Sequence, residues 1–397
     1  MRKMLPLLFV ASACSSGGAV SPDGPKSEEA RSGIQAPPSL EGLQLQQTYP
    51  ALPPGKEVHY CQYFVLPDRA IDVQRVEHSY TPGGHHVILY PTDLHPADVA
   101  GRQGVFDCEE VPDRGDVGFG YVGAGTEGSV EYPPGVAIHY EERAVVLLES
   151  HMLNLTTEPL DVDYRVNLWF ATETVHDHVG TIFFYDNHIR VPARDRASVS
   201  MSCAVPQDVK VLALVPHMHV RGTFLSAALR APGGEESHLL SQTDWSALEP
   251  HRYDPPLSVS AGARFEFTCD YENPDPFDIV EGSSKTDNEM CLLIGSYYPR
   301  LDPAFEFCIE EGSGPRYAGT RTCAESFACF SQSKDPFATD QCALDTCPAA
   351  GQAFNDFFNC AARECFFAGR CAAGGCAGCA LERCGEEIAA CQTRGCE

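Results

Sequence analysis

The stretch Thr81-Pro82-Gly83-Gly84-His85-His86-Val87-Ile88-Leu89 sets the reading of this chain. A Pro-Gly-Gly turn signal runs straight into an apolar segment, and two adjacent histidines sit at the junction. Adjacent residues of a strand point to opposite faces of a sheet. Both imidazoles therefore reach one point in space only if the backbone twists or bulges, and Gly83-Gly84 permits that.

His86 to Tyr90 is one of several short apolar or alternating runs cut by Pro and Gly. Others are His59 to Val65, Ala144 to Leu148 and Tyr164 to Phe170. From about Gln46 to Ile189 this spacing predicts an all-β sandwich. A second β-rich block runs from about Val191 to Glu310, with strands expected over Val209 to Val215, Thr223 to Leu229, Ala263 to Cys269 and Met290 to Tyr298. The break at Pro192-Ala193-Arg194-Asp195 is the candidate domain boundary. Gly115 to Gly128 (GDVGFGYVGAGTEG) has no phosphate-loop Lys and no following helix, and reads as loop.

The chain has 397 residues, enough for two or three domains with their own cores. Its 28 basic and 55 acidic residues give a net charge of -27, which argues against nucleic acid as a partner. No apolar run of about 18 residues follows the N-terminus, so no spanning helix is expected. Residues 1–14 read as an export signal: Met1-Arg2-Lys3 is basic, Met4 to Val10 apolar, and Ala11-Ser12-Ala13-Cys14 small. The Cys after Ala-Ser-Ala resembles a bacterial lipobox, although Ala stands where Leu is usual. That makes Cys14 a candidate lipid anchor, and the protein an exported bacterial lipoprotein of the outer membrane, periplasm or exterior. Ordinary secretion with cleavage near Ala13 is the alternative. Residues 15–45 are rich in Ser, Gly, Pro and charge and read as a flexible tether.

Of 19 cysteines, Cys14 leaves 18: six from Cys61 to Cys308 and twelve from Cys323 to Cys396. Both subsets are even, as two separately stapled regions require. The tail, residues 313–397, is rich in Ala and Cys and repeats Cys-x4-Cys at Cys342, Cys360, Cys379 and Cys391. Asn355 to Phe367 reads as helix. Cysteines five apart on a helix point about 140° apart, so each staples to a different neighbour in a small helical module. A thiolate metal cluster is the other reading, since Cys376-x2-Cys379 has ligand spacing. The module is a candidate surface for a protein partner.

Three later stretches add to the His85-His86 doublet: Glu149-Ser150-His151, Pro216-His217-Met218-His219 and Glu289-Met290-Cys291. His217 and His219, two apart on a predicted strand, share one face and can bind one ion without distortion. Met290 beside them makes a soft His2Met set, which selects copper. His176-x-His178 is a weaker pair, flanked by charge. His59, His78, His95, His139, His188, His238 and His251 read as surface or structural.

In their order, Gly84-His85-His86, His151, His217-x-His219-x-x-Gly222, then Glu289-Met290-Cys291 and Tyr297-Tyr298 resemble the copper- and ascorbate-dependent monooxygenases. The intervals of 65 residues from His86 to His151, 66 from His151 to His217 and 71 from His219 to Met290 are close to that family's own. The resemblance covers roughly residues 45–310. It implies two jelly-roll-like antiparallel β-sandwich domains, residues 46–192 and 193–312, each carrying one copper across an open cleft. His85, His86 and His151 would hold the first copper, which relays electrons. His217, His219 and Met290 would hold the second, where dioxygen binds and a substrate C–H bond is hydroxylated, with ascorbate or a similar one-electron reductant as co-substrate. Disulfides Cys61–Cys108, Cys203–Cys308 and Cys269–Cys291 are implied in the same way. Peptide-hydroxylating members bind the substrate carboxylate through an Arg, an Asn and a Tyr. The matching places here hold Val215, Leu292 and Ile294. An anionic group buried there would lose its partners, so a neutral or aromatic small molecule is expected. The competing readings are a copper carrier that retains the ligands without hydroxylating, and a cell-surface scaffold.

Overall fold

Strict alternation along the strands decides which residues face the core. The computed structural model describes residues 33–92, 94–108, 120–246, 250–282, 286–301, 303–308, 312–332, 342–366 and 377–397, without the His85 side chain. The expected leader 1–14, its Cys14, and Cys376 lie outside the described residues.

The first block runs β1 (Gly42–Leu52), β2 (Glu57–Val65), β3 (Ile71–Tyr80), β4 (Gly84–Pro91), β5 (Phe106–Asp107), β6 (Tyr121–Ala124), β7 (Glu127–Glu131), β8 (Val136–Tyr140), β9 (Val145–Leu153), β10 (Leu160–Phe170) and β11 (Asp177–His178). One sheet has the order β1-β10-β3-β8-β11, with β7 also on β3; the other is β5-β2-β9-β4-β6. Their inner faces share a core of Val73, Val76, Val166 and Leu168 against Val87, Leu89, Val146 and Leu148. The odd-numbered residues of β9 point the other way. There Leu147 joins a smaller outer cluster with Tyr63, Tyr90 and the Cys61–Cys108 disulfide.

The second block comprises β12 (Gly180–Tyr185), β13 (Arg190–Val191), β14 (Arg196–Ala204), β15 (Val209–Met218), β16 (Gly222–Arg230), β17 (Glu236–Gln242), β18 (His251–Val259), β19 (Arg264–Glu272), β20 (Ile279–Val280), β21 (Cys291–Tyr298) and β22 (Gly312–Ser313). Its sheets, β12-β21-β15-β18 and β17-β16-β19-β14-β22, enclose Phe184, Leu214, Leu225, Phe265, Phe267 and Leu293. Cys203–Cys308 and Cys269–Cys291 are bonded within it. The chain is mostly β, 48% strand and 15% helix, with several antiparallel sheets and a few disulfide-bonded helices at the C-terminus.

The tail forms helices Cys323–Gln332, Pro348–Ala361, Ala377–Arg383 and Gly385–Thr393 around Phe354 and Phe357. Among the described residues five disulfides tie it: Cys323–Cys391, Cys329–Cys342, Cys347–Cys396, Cys360–Cys384 and Cys365–Cys379. Cys379 is thereby taken by Cys365 rather than left as a thiolate.

Three expectations are corrected. The Gly-rich stretch is not all loop, because Tyr121–Ala124 and Glu127–Glu131 are strands. Its glycines serve a close approach: a Cβ on Gly123 or Gly128 would lie 2.5 or 2.7 Å from the buried His78 ring. Strand propensity hides that, since Gly is disfavoured in strands except where something packs on the backbone. The end of the expected tether is also held. β1 begins at Gly42, and the Ile34 carbonyl accepts from Gln44 Nε2 at 3.2 Å. Finally, Pro192–Asp195 is a turn inside the second block, closed by Asp195 N–H to Pro192 O at 3.2 Å. Strand pairing passes to the second block earlier, where Gly180 in β12 meets Tyr297 in β21.

Leu148 is fully buried between the sheets of the first block. Leu148→Ala is expected to cost about 2–5 kcal/mol through lost transfer energy and a residual cavity, read as a lowered denaturant midpoint.

Candidate metal centres

β4 pairs with β9 with an irregularity between Gly84 and His86: Gly84 faces Met152, while His86 faces His151. His85 is the extra residue, so the doublet lies in a bulge. Gly83 before it has φ 101°, a conformation other residues rarely adopt. Beyond the slip the alternation resumes, with Val87 and Leu89 in the core and His86 on the outer face.

On the other side of β9, His59 of β2 stands directly opposite His151. His86, His151 and His59 therefore form a row across three adjacent strands. One ring nitrogen from each lies within 4.8 Å of the others. The His59 and His151 rings stack with centroids 3.8 Å apart, and those of His86 and His151 are 5.1 Å apart. Sequence reasoning set His59 aside as a surface or structural histidine. A signal was present in the alternating run His59 to Val65, but only the register places it opposite His151.

Two carboxylates hold this row. Glu149, two residues before His151 on the same face, lies 3.5 Å from His59 Nδ1 and 3.9 Å from His86 Nε2, and accepts from the Tyr90 hydroxyl at 2.9 Å. Burial alone would raise its pKa. Hydrogen bonds from His59 and His86, attraction to His86 and the Tyr90 bond outweigh that and hold the carboxyl well below its usual range. Glu57 Oε1 lies 2.7 Å from His151 Nε2. Carboxylates so placed fix ring orientation and raise the basicity of the other nitrogen.

The second group is built on β15 and β21. Met218 is buried in the core and His217 points to the opposite face. The pairing runs His217 to Leu292 and Met218 to Cys291. Met290 directly precedes β21, and Glu289 before it is bonded to the His219 N–H. The His217 and His219 rings are 5.2 Å apart at 88°.

Glu289 clamps the turn that follows His219. It accepts the N–H of His219 at 3.0 Å and of Arg221 at 2.6 Å. Burial pushes its pKa up to about 7 despite those bonds. The His219 Nδ1–H donates to the Asn288 carbonyl at 3.1 Å. The Tyr271 hydroxyl donates to the Met290 carbonyl at 2.8 Å, and Cys269–Cys291 anchors the neighbouring residue. Gly222 ends the motif because a Cβ there would meet Met218 at 2.6 Å.

Burial first, then repulsion from His219 and from His86, lowers the His217 pKa to about 4. Between the blocks lies an open pocket of about 130 Å³, lined among others by Tyr121, Tyr132, Val215, Arg252, Ile294 and Arg300. Arg300 is paired with Glu306 at 3.0 Å. His176 and His178 do not join either group: His178 lies near His139 and Asp72, on the other sheet of the first block.

Glu149→Gln keeps the shape of the side chain and removes its charge. Copper affinity of the His59/His86/His151 row is expected to fall about tenfold to a hundredfold, measured by competition against a chelator of known affinity.

Residues 180–319 match the family model described as "Copper type II ascorbate-dependent monooxygenase, C-terminal domain". The chain is similar to DBH-like monooxygenase protein 1 of Gallus gallus, 24% identical over 314 residues, which is 67% of this chain and 48% of that protein. It is also similar to DBH-like monooxygenase protein 2 of Mus musculus, 28% identical over 98 residues, covering 24% of this chain and 16% of that protein. The chain thus spans about half the length, or less, of these relatives. Among solved structures, PBSX exported protein XepA overlaps 60% of this chain and 89% of its own, at 8% identity and a TM-score of 0.20, too low to carry an argument. The likeness to copper type II, ascorbate-dependent monooxygenases thus rests on residues 180–319, with a weaker likeness to the chicken protein over two thirds of the chain.

Proposed function

We propose that this chain is an exported dicopper monooxygenase that hydroxylates a C–H bond of a small organic substrate, using O2 and ascorbate or a similar one-electron reductant. The observation that carries the reading is the register that lines up His59, His86 and His151 on one sheet face, with His217 and His219 paired on a sheet of the second block. The donor chemistry suits the metal: imidazoles tolerate both copper oxidation states, and a thioether favours Cu(I). His86 and His151 would hold the first ion, with His59 on the same face and His85 in the bulge beside them; His217, His219 and Met290 would hold the second. Bound copper supplies single-electron transfer at the first set and oxygen activation at the second.

The chain's own residues do the positioning. Glu149 and Glu57 orient the first row, and Glu289 ties the His219 turn to the segment bearing Met290. The pocket lined by Val215 and Ile294, on the two strands that lead to His217 and from Met290, is where we place the substrate. Val215 and Ile294 in its wall offer no partner to an anion, which favours a neutral or aromatic molecule. Eight disulfides among the described residues support an oxidising compartment. Among those residues no helix is long and apolar enough to cross a membrane. Anchoring, on this reading, is by a lipid on Cys14.

Two copper ions per chain are expected, with ascorbate-driven oxygen uptake that rises on adding phenylethylamine-like or amidated small molecules. Copper without such uptake would instead indicate a carrier. Met290→Ala is expected to abolish turnover while copper at the first set, followed by its Cu(II) spectrum, stays in place; turnover that survives the change removes Met290 from the oxygen site.

A further inference from the structure

A third group of metal-binding side chains lies on the other sheet of the first block, and one of its members, His139, is among the residues that line the pocket between the blocks. Asp72 of β3 stands directly across from His139 of β8. On the other side of β8, the two-residue β11 pairs in parallel and sets His178 beside Ala137. Ile71, Val73, Ile138 and Tyr140 all face the core, so Asp72 and His139 point outward, and His178 joins them. The three occupy three neighbouring strands at one end of the sheet.

The distances are those of a site. His139 Nδ1 is 2.7 Å from Asp72 Oδ1, and His178 Nε2 is 3.6 Å from the same oxygen. The two rings stack with centroids 4.7 Å apart, and one donor atom from each residue lies within 4.8 Å of the others. Donors bound at zinc's usual lengths in a tetrahedron stand ~3.4 Å apart. Movement of about an ångström converts the present contacts into that arrangement. Glu141 Oε1 lies 3.5 Å from His139 Nε2, where a carboxylate can orient a ligating ring through its far nitrogen.

We infer that Asp72, His139 and His178 form a site for a borderline divalent cation of the zinc type. The set holds two imidazoles and one carboxylate, with no sulfur. That suits Zn2+ with water in the fourth position, unlike the thioether-containing set around Met290. Its place in the fold gives it a task. β11 is the last strand of the first block, and β12 begins at Gly180, already in the second. The His178 carbonyl also accepts the Arg300 N–H at 2.7 Å. A cation here fastens the segment through which the chain passes from one sandwich to the next, which two residues of parallel pairing hold only weakly. His176, the other half of the H-x-H pair, takes no part.

The test uses the full chain freed of metal, titrated with zinc and followed by calorimetry and metal analysis. Wild type is expected to take one zinc equivalent more than His178→Ala, and Asp72→Asn to weaken that equivalent at least about tenfold. His217→Ala should retain it. Zinc should also raise the thermal midpoint of wild type more than that of His178→Ala. If His178→Ala proves unstable, His139→Gln serves in its place. Equal zinc content and affinity in wild type, Asp72→Asn and the histidine variant would overturn the site, whatever the outcome for copper.

Discussion

The register between β2, β9 and β4 is the constraint on which the first candidate centre depends. In an antiparallel pair a slip of one residue turns every side chain to the other face. Here the slip is used once, at His85, and nowhere else along β4. It brings His86 opposite His151, as His59 already is from the other side. The same alternation that sends Val146, Leu148 and Met152 inward sends Leu147, Glu149 and His151 outward. Core and site are thus two faces of one pattern, and neither can shift without the other.

The second block repeats the logic with different parts. Met218 between two histidines looks out of place until its side chain is seen in the core, where Gly222 leaves room for it. Glu289 then does what a short β-turn alone cannot. Its two carboxylate oxygens take the N–H groups of His219 and Arg221, joining segments about seventy residues apart in the chain. The cost is a carboxyl group buried enough to titrate near neutrality. Cys269–Cys291 fixes the residue after Met290, so both chain neighbours of Met290 are tied down.

Much of this was legible in the chain because the physical rules involved are local. Short alternating runs cut by Pro and Gly read as strands, and the runs from His59, His86, Tyr164 and Val209 lie on strands, as does the run from Ala263 after its first residue. Pairs two apart, such as His217 and His219, must share a face once the strand is granted. The even cysteine count anticipated a stapled tail, and five of its disulfides lie among the described residues. The Gly-rich stretch was misread for an equally physical reason: composition reports flexibility, and it cannot show that a buried imidazole needs bare backbone on two strands.

By itself, then, the sequence determined the β character of the two blocks, the stapled helical tail and the candidate donors at His86, His151, His217, His219 and Met290, all set by periodicity, residue chemistry and spacing. Only the tertiary structure decided that His59 stands beside His151, that the bulge falls on His85, and that Asp72, His139 and His178 meet. Each of those depends on which strands become neighbours and in what register. That choice is made by long-range burial of apolar faces, which no local stretch of the chain contains.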